Sequence, residues 1–452
     1  MQPVNLIPIV SKVAGSAHLN KEAVMDLAPP PSKKAIEKIH SERKPVAVEM
    51  ARQSNLLKKR LSGVNIDKLD NPEEWRKIPL LTKDELRKLS TEEFYNDFCI
   101  ASLDEASEYW RSGGSTGKPL FYPRSHEDLK YKLNIGFGRI WPCINANKSD
   151  RLHTSFPLGV HPIGQALPRS AAQQGLASLW AGAGTTTPTP VQLDLILDLK
   201  ATIVGAMPSY ALHLANVAKA EGIDLANSDV KKLIVSAEPL TDAKRAKLER
   251  IWGATVYNAM GMTEGSMMFS ERDGVDGMIA WSDMFYLEVI DSESGDSVAE
   301  GEEGALVMTP LFCNNITPFL RWLTGDIVTL KSQPESDDPW SVFPVLNHAL
   351  RTEGFFKVRG VNINHGDLED FMFNHEEITD FKAEVITQDD KDLIRLLIEL
   401  PRGTEPKALN TKLNDAFKKT FESSPEVVVL ERGSLAKEFE SSVKAPRFVD
   451  KR

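Results

Sequence analysis

Residues 232–259 read KLIVSAEPLTDAKRAKLERIWGATVYNA, and the pattern of this stretch decides the fold. Two short apolar runs, Lys232 to Ser236 and Thr255 to Ala259, flank a charged segment that Thr241 caps and Gly253 closes. That is a strand, a helix and a strand. The same alternation runs upstream. Leu195, Ile196 and Leu199 share one helical face, Ala201 to Ala206 is a short buried strand, and Pro208-Ser209 opens a helix from Tyr210 to Glu221 that Gly222 ends. Helix–strand alternation at this spacing predicts a largely parallel sheet with helices on its faces. Ligands of such sheets lie beyond the carboxyl ends of the strands. A site is therefore expected at Ala237-Glu238-Pro239 and at Met260 to Glu264.

The pattern changes on either side of this unit. Tyr286 to Asp291 and Ala305 to Met308, with turn signals between them, predict antiparallel hairpins. Thr324-Gly325-Asp326 reads as a turn presenting a carboxylate, and residues 333–344 as a charged, proline-containing loop. From Phe355 the order is strand, helix, strand, strand, helix, strand, ending in Val427 to Leu430. The first hundred residues are mostly helical and polar, and Thr82 with Glu85 forms a capping box. The expected fold class is α/β. A large N-terminal domain, 1–352, holds layered, mainly parallel sheets plus a small antiparallel barrel-like part, and a small mobile α+β C-terminal domain covers 353–452.

A second stretch carries chemistry. Ser112, Gly113, Gly114, Ser115, Thr116, Gly117, Lys118 and Pro119 put three glycines, three hydroxyls and one lysine into eight residues. Bare backbone N–H groups, hydroxyl donors and a point cation suit phosphate oxygens. The spacing is not that of a Walker A loop: Gly113 and Gly117 stand one residue too close, and Pro119 replaces the magnesium-binding hydroxyl.

The 452 residues are 41% hydrophobic and 26% charged with a net charge of −10, which argues against a surface that coats nucleic acid. Cys99, Cys143 and Cys313 stand alone, so reduced thiols are expected rather than a disulfide framework or a zinc site. No apolar run reaches the roughly 18 residues of a membrane span. A soluble, cytoplasmic protein is the expectation.

Taken together the motifs resemble the adenylate-forming superfamily, and most closely its phenylacetate–coenzyme A ligase branch. The glycine-rich stretch with Tyr109-Trp110-Arg111 before it resembles the family's phosphate loop. Ser236-Ala237-Glu238-Pro239 resembles the adenine-side segment, and Met260-Gly261-Met262-Thr263-Glu264 the Tyr-Gly-x-Thr/Ser-Glu motif. Asp326 matches the ribose-binding aspartate. Arg351 through Val358-Arg359-Gly360 matches the crossing into the small domain, and Ser442-Val443-Lys444 the terminal lysine motif.

The resemblance implies an ATP-dependent carboxylic acid–coenzyme A ligase with ATP, Mg2+ and coenzyme A as its small-molecule partners. The acid, aromatic or otherwise substituted, is adenylated with release of pyrophosphate, and the thiol then displaces AMP. It implies nucleotide binding by residues 112–118, Ala237, Glu238, Pro239, Asn258, Met260, Gly261, Asp326 and Arg351. Thr263 and Glu264 face the α-phosphate and magnesium, with Glu264 as the metal ligand, and Lys444 is the catalytic lysine. Arg359 and Gly360 contact coenzyme A, Glu353 is the hinge, and His153, Phe156, His161, Arg169 and Gly261 line the acyl pocket. The polar members of that pocket predict an acid with a polar substituent. A homodimer is compatible with the resemblance, and neither nucleic acid nor membrane is an expected partner. Three positions depart from the pattern: Met260 for the tyrosine, Glu353 for an aspartate, and Val443 for the glycine before the lysine. These keep open an adenylating enzyme with another acceptor, or a nucleotide-binding regulatory protein without catalysis.

Overall fold

The computed structural model describes residues 27–112, 120–351, 355–358, 361–388, 391–401, 403–435, 437–438 and 447–452. Strands β1 (Ala106–Arg111) and β2 (Phe121–Ser125) pair antiparallel, with the glycine-rich stretch as the connection between them. Ser112 N–H donates to Leu120 O at 3.0 Å, closing the base of that connection.

The predicted alternation forms one half of the main sheet. β3 (Arg151–Thr154), β4 (Ala177–Trp180), β5 (Ile203–Ala206), β6 (Lys232–Val235) and β7 (Thr255–Gly261) run parallel in the spatial order β4-β3-β5-β6-β7. All four residues of β5 are buried, as expected of a strand covered on both faces. Helices α1 (Pro208–Ala220) and α2 (Asp242–Trp252) connect β5 to β6 and β6 to β7. Thr241 caps α2 by accepting from Lys244 N–H, and Gly253 follows it at φ 59°, a left-handed stop open to glycine at little cost.

β7 is the joint of the molecule. One edge pairs in parallel with β6 and the other antiparallel with β8 (Met267–Glu271). Beyond β8 the sheet continues antiparallel through β9 (Met278–Ala280), β13 (Val345–Arg351), β12 (Trp322–Lys331), β11 (Gly304–Pro310) and β10 (Phe285–Ile290). The N-terminal helical region packs on this antiparallel half in one apolar core, and a second core lies against the parallel half.

Thr324-Gly325-Asp326, expected as a turn, is a bulge inside β12. Ala305 and Val307 of β11 face Ile327 and Leu323, so three residues oppose one. Gly325 takes φ +84°, Thr324 Oγ1 donates to Leu306 O at 3.0 Å, and Asp326 N–H donates to Thr324 Oγ1 at 3.1 Å. Turn chemistry and bulge chemistry use the same residues, and only the strands on both sides distinguish them.

After β13 come a hairpin of β14 (Phe355–Val358) and β15 (Val361–Asn364), helix α3 (His365–Phe373), β16 (Asp380–Gln388), β17 (Lys391–Glu399), helix α4 (Pro406–Phe421), β18 (Glu426–Val429) and β19 (Phe448–Asp450). The four-stranded sheet has the order β18-β17-β16-β19. β19 was not expected. Three residues show no periodicity, and their parallel pairing with β16 makes them a strand.

α3 packs on α2 through buried charge. Lys244 Nζ lies 2.6 Å from Glu369 Oε1, with both side chains 5% exposed or less. Ala243 N–H donates to Asp370 Oδ1 at 3.1 Å, and Lys247 Nζ donates to Ile378 O at 2.8 Å. Arg447 reaches Glu369 at 3.5 Å and also pairs with Asp380. Among the described residues no helix is long and apolar enough to cross a membrane.

Candidate active site

The parallel strands deliver their carboxyl ends to one region. Past β6, Ala237 adopts a positive φ of 71°. Glu238 accepts from Ser209 N–H at 3.0 Å and from its hydroxyl at 2.7 Å, tying the segment to the start of α1. Pro239 O accepts from Lys244 Nζ at 3.4 Å. Past β7 the pairing with β8 is irregular at Met260 and Gly261. A Cβ on Gly261 would meet Ser266 O at 2.3 Å and Met267 Cα at 2.8 Å, so the chain doubles back too closely for any side chain. Asn258 N–H donates to Glu271 Oε2 at 2.7 Å.

Thr263 and Glu264 follow at once, and the hairpin of β1 and β2 meets them. Thr263 Oγ1 donates to Arg111 O at 3.4 Å, which sets this loop beside the residue that leads into the glycine-rich stretch. The Glu264 side chain is only 6% exposed. Tyr122 OH donates to Glu264 Oε1 at 2.9 Å, and Lys83 Nζ lies 3.7 Å from the same oxygen. Burial and the neighbouring Glu264 carboxylate push the Tyr122 phenol well above its ordinary value, so it stays a donor. Beneath the loop Arg124 donates to Thr263 O at 2.6 Å and Glu264 O at 3.3 Å, and Lys132 donates to Gly265 O.

Neither Tyr122, Arg124, Lys132 nor Lys83 was singled out from the sequence. Lys83 opens a capped helix, Lys83–Lys88, where a solvated lysine is the ordinary reading. Only the fold carries it to Glu264.

Asp326 and Arg351 are Cα partners on the adjacent strands β12 and β13, and Asp326 is 2% exposed. Two positions well apart in sequence thus stand side by side. Residues 113–119, Glu353, Arg359, Gly360 and Lys444 lie outside the described residues. Among the described residues no group of three or more His, Cys, Asp or Glu side chains is arranged to hold a metal.

The family described as AMP-binding enzyme matches residues 109–309, a span that runs from β1 through β11 and includes the Thr263-Glu264 loop. The chain is 26% identical over 342 residues to a phenylacetate–coenzyme A ligase of Pseudomonas putida, covering 75% of each protein. A phenylacetate–coenzyme A ligase of Aromatoleum evansii is 26% identical over 401 residues, covering 86% of this chain and 88% of the relative. These matches agree with the resemblance to the adenylate-forming superfamily and its phenylacetate–coenzyme A ligase branch. A crystal structure of 2-hydroxyisobutyryl-CoA ligase in the postadenylation state with 2-HIB-AMP superposes on this chain with a TM-score of 0.82 at 20% identity, covering 94% of this chain and 91% of that one. The same ligase in its thioesterification state, with 2-HIB-AMP and CoA, gives 0.67.

The expected acyl-pocket residues spread over two settings. His153 on β3 is 1% exposed, and its Nε2 contacts Gln192 Oε1 at 3.2 Å. Gln192 also accepts from the Ser155 hydroxyl at 2.8 Å and donates to Gly182 O, Thr187 O and Tyr210 OH. Burial pushes the His153 imidazole down to about 4, so it is neutral. Phe156 is fully buried in the core of the parallel half. Arg169 sits elsewhere, 2.5 Å from Glu108 on β1. His153 and Arg169 thus have partners within the protein, and His161 is partly buried.

Proposed function

We propose that the chain is an ATP-dependent carboxylic acid–coenzyme A ligase. It activates its acid as an acyl-adenylate with release of pyrophosphate, then forms the thioester with release of AMP. The observation that carries this reading is the meeting of the Thr263-Glu264 loop with the base of the glycine-rich hairpin, through Thr263 to Arg111 O and Tyr122 to Glu264. The similarity to a phenylacetate–coenzyme A ligase over 86% of this chain supports it.

The carboxylate and the α-phosphate are both anionic, so adenylation depends on positioning and charge neutralisation. In this reading residues 112–118 hold the outer phosphates, and Asp326 accepts from ribose hydroxyls with Arg351 beside it. Glu264 fits Mg2+, a hard cation commonly held by one or two carboxylates together with substrate phosphates and water. That ion would draw charge from the polyphosphate. Lys83 at 3.7 Å from Glu264 supplies a further cation. Lys444 bridges the acyl carboxylate and α-phosphate. Residues 1–352 and 353–452 form the two domains, with Glu353 as their hinge, and Arg359 and Gly360 meet coenzyme A. Three buried, unpaired cysteines suit a cytoplasmic setting. The acid belongs to the aromatic or otherwise substituted class.

Pyrophosphate release measured over aromatic, aliphatic and dicarboxylic acids, with and without coenzyme A, tests the reading. An acid-dependent release that yields thioester only with coenzyme A is expected. Release without any thioester would redirect the acyl group to another acceptor, and ATP binding without release would leave a nucleotide-binding protein.

A further inference from the structure

We propose that Arg124 and Lys132 are positioning residues for adenylation, gripping the Thr263–Gly265 loop from beneath by its backbone carbonyls and adding two buried positive charges on the phosphate side of the site. This rests on the reading that Thr263 and Glu264 face the nucleotide.

Both side chains are fully buried. Arg124 donates to Thr263 O and Glu264 O and, through its other terminal nitrogen, to Thr317 Oγ1; Lys132 donates to Gly265 O. Three consecutive carbonyls of the loop therefore end on cations. Because each trans peptide points its C=O and its N–H in opposite directions, the N–H groups of Glu264, Gly265 and Ser266 are turned away from the cations. A loop held this way offers an anion its donors and hides its acceptors.

The setting makes these charges costly. Trp110 stands over both, 5.7 Å from the Arg124 guanidinium and 5.8 Å from the Lys132 ammonium, and Tyr122 and Phe319 flank Arg124 at 5.5 and 5.8 Å. Among the described residues neither cation has a carboxylate within 4.0 Å. The Asp128 carboxylate nearby is occupied by the N–H groups of Ser125 and Asn315 and by the Asn315 amide. A purely structural buttress would be cheaper as apolar packing, because desolvating an unpaired cation is unfavourable. Asp128 and Glu264 act on both cations from beyond contact distance, and an incoming polyphosphate adds to that countercharge.

The titratable and charged groups acting on Lys132 are Arg124, Cys313, Asp128 and Glu264. Burial first, and Arg124 second, bring its ammonium down to about 8. A neutral amine can still donate to Gly265 O, but the positive charge offered to the site is lost as pH rises through that value.

The experiment compares Arg124→Met, Lys132→Met and Lys132→Arg with the unmodified chain in two assays: ATP–pyrophosphate exchange, and thioester formation from a supplied acyl-adenylate. Melting temperatures are recorded beside them. Both Met variants should lose exchange by about 100-fold or more, the scale of one preorganised electrostatic contact, while thioester formation falls far less. Lys132→Arg should recover most of the exchange. In the unmodified chain exchange should decline above about pH 8, and in Lys132→Arg that limb should move up, because a guanidinium does not deprotonate in this range. Parallel losses in both assays, or a high-pH limb unchanged in Lys132→Arg, would reduce the two residues to structural supports. If the Met variants fail to fold, the pH comparison decides alone. Absence of exchange in the unmodified chain with every acid would instead remove the underlying reading, and this inference with it.

Discussion

Glu369→Gln offers a quantitative test of how the C-terminal unit is held on α2. Glu369 is 4% exposed and faces two cations, Lys244 at 2.6 Å and Arg447 at 3.5 Å. Removing one partner of a buried pair costs about 3–5 kcal/mol, because the other charge is stranded. Here the lower end applies. Lys244 keeps its 3.4 Å contact with Pro239 O, and Arg447 keeps Asp380 and Phe381 O. A cost of about 3 kcal/mol shifts the docked-to-released ratio by roughly 100-fold, since 1.4 kcal/mol is tenfold. The internal control is Arg250→Ala. Arg250 meets Glu376 at 3.3 Å in the same region, but the two side chains are 57% and 77% exposed, and such pairs contribute about 0–1 kcal/mol. Hydrogen exchange of the α2 and α3 amides is the assay, and Glu369→Gln should deprotect both helices while Arg250→Ala leaves them nearly unchanged. A paired Lys244→Met, Glu369→Leu variant should recover much of the loss, because apolar residues of similar volume replace a buried pair at little cost. Equal deprotection by Glu369→Gln and Arg250→Ala, or no recovery in the double variant, would refute the reasoning.

Three further outcomes are expected. Lys444→Ala should lower ATP–pyrophosphate exchange by roughly 100- to 1,000-fold and largely spare thioester formation from a supplied acyl-adenylate, whereas Lys437→Ala does little; the reverse ranking would assign the reaction to Lys437. Gly261→Ala forces a Cβ against Ser266 O at 2.3 Å, so melting should report about 1–3 kcal/mol lost, and an unchanged melting temperature would mean the loop relaxes freely. The His153 imidazole is held near 4 against an ordinary 6.5, so below pH 6.5 the unfolded chain takes up a proton that the folded chain refuses. Stability should therefore fall by about 1.4 kcal/mol per pH unit from this group as pH drops toward 4, about 3 kcal/mol in all. His153→Gln should flatten the acid limb of denaturant-unfolding stability by that share, leaving the similar share of His365, also held near 4 by burial; an unchanged limb would count against the assignment.

The sequence by itself determined the parallel half of the fold. Short apolar runs between capped helices can be covered on both faces in few other ways, and β5, β6 and β7 formed where the runs predicted. It also located the loops past β6 and β7, because a parallel sheet sends its carboxyl ends to one edge. The tertiary structure alone decided what surrounds those loops. Lys83, Tyr122, Arg124 and Lys132 carry no local signal: a lysine at a helix start or a buried arginine looks the same in sequence whatever it grips. Their partners are backbone carbonyls and one carboxylate more than a hundred residues away, and such contacts have no period to read. The same reason turned Thr324-Gly325-Asp326 from a turn into a bulge, since a bulge exists only relative to its neighbouring strand. His153 and Arg169 show the same limit: a polar side chain bonds to whatever the fold brings within reach, here Gln192 and Glu108, and neither partner is announced by the sequence around it.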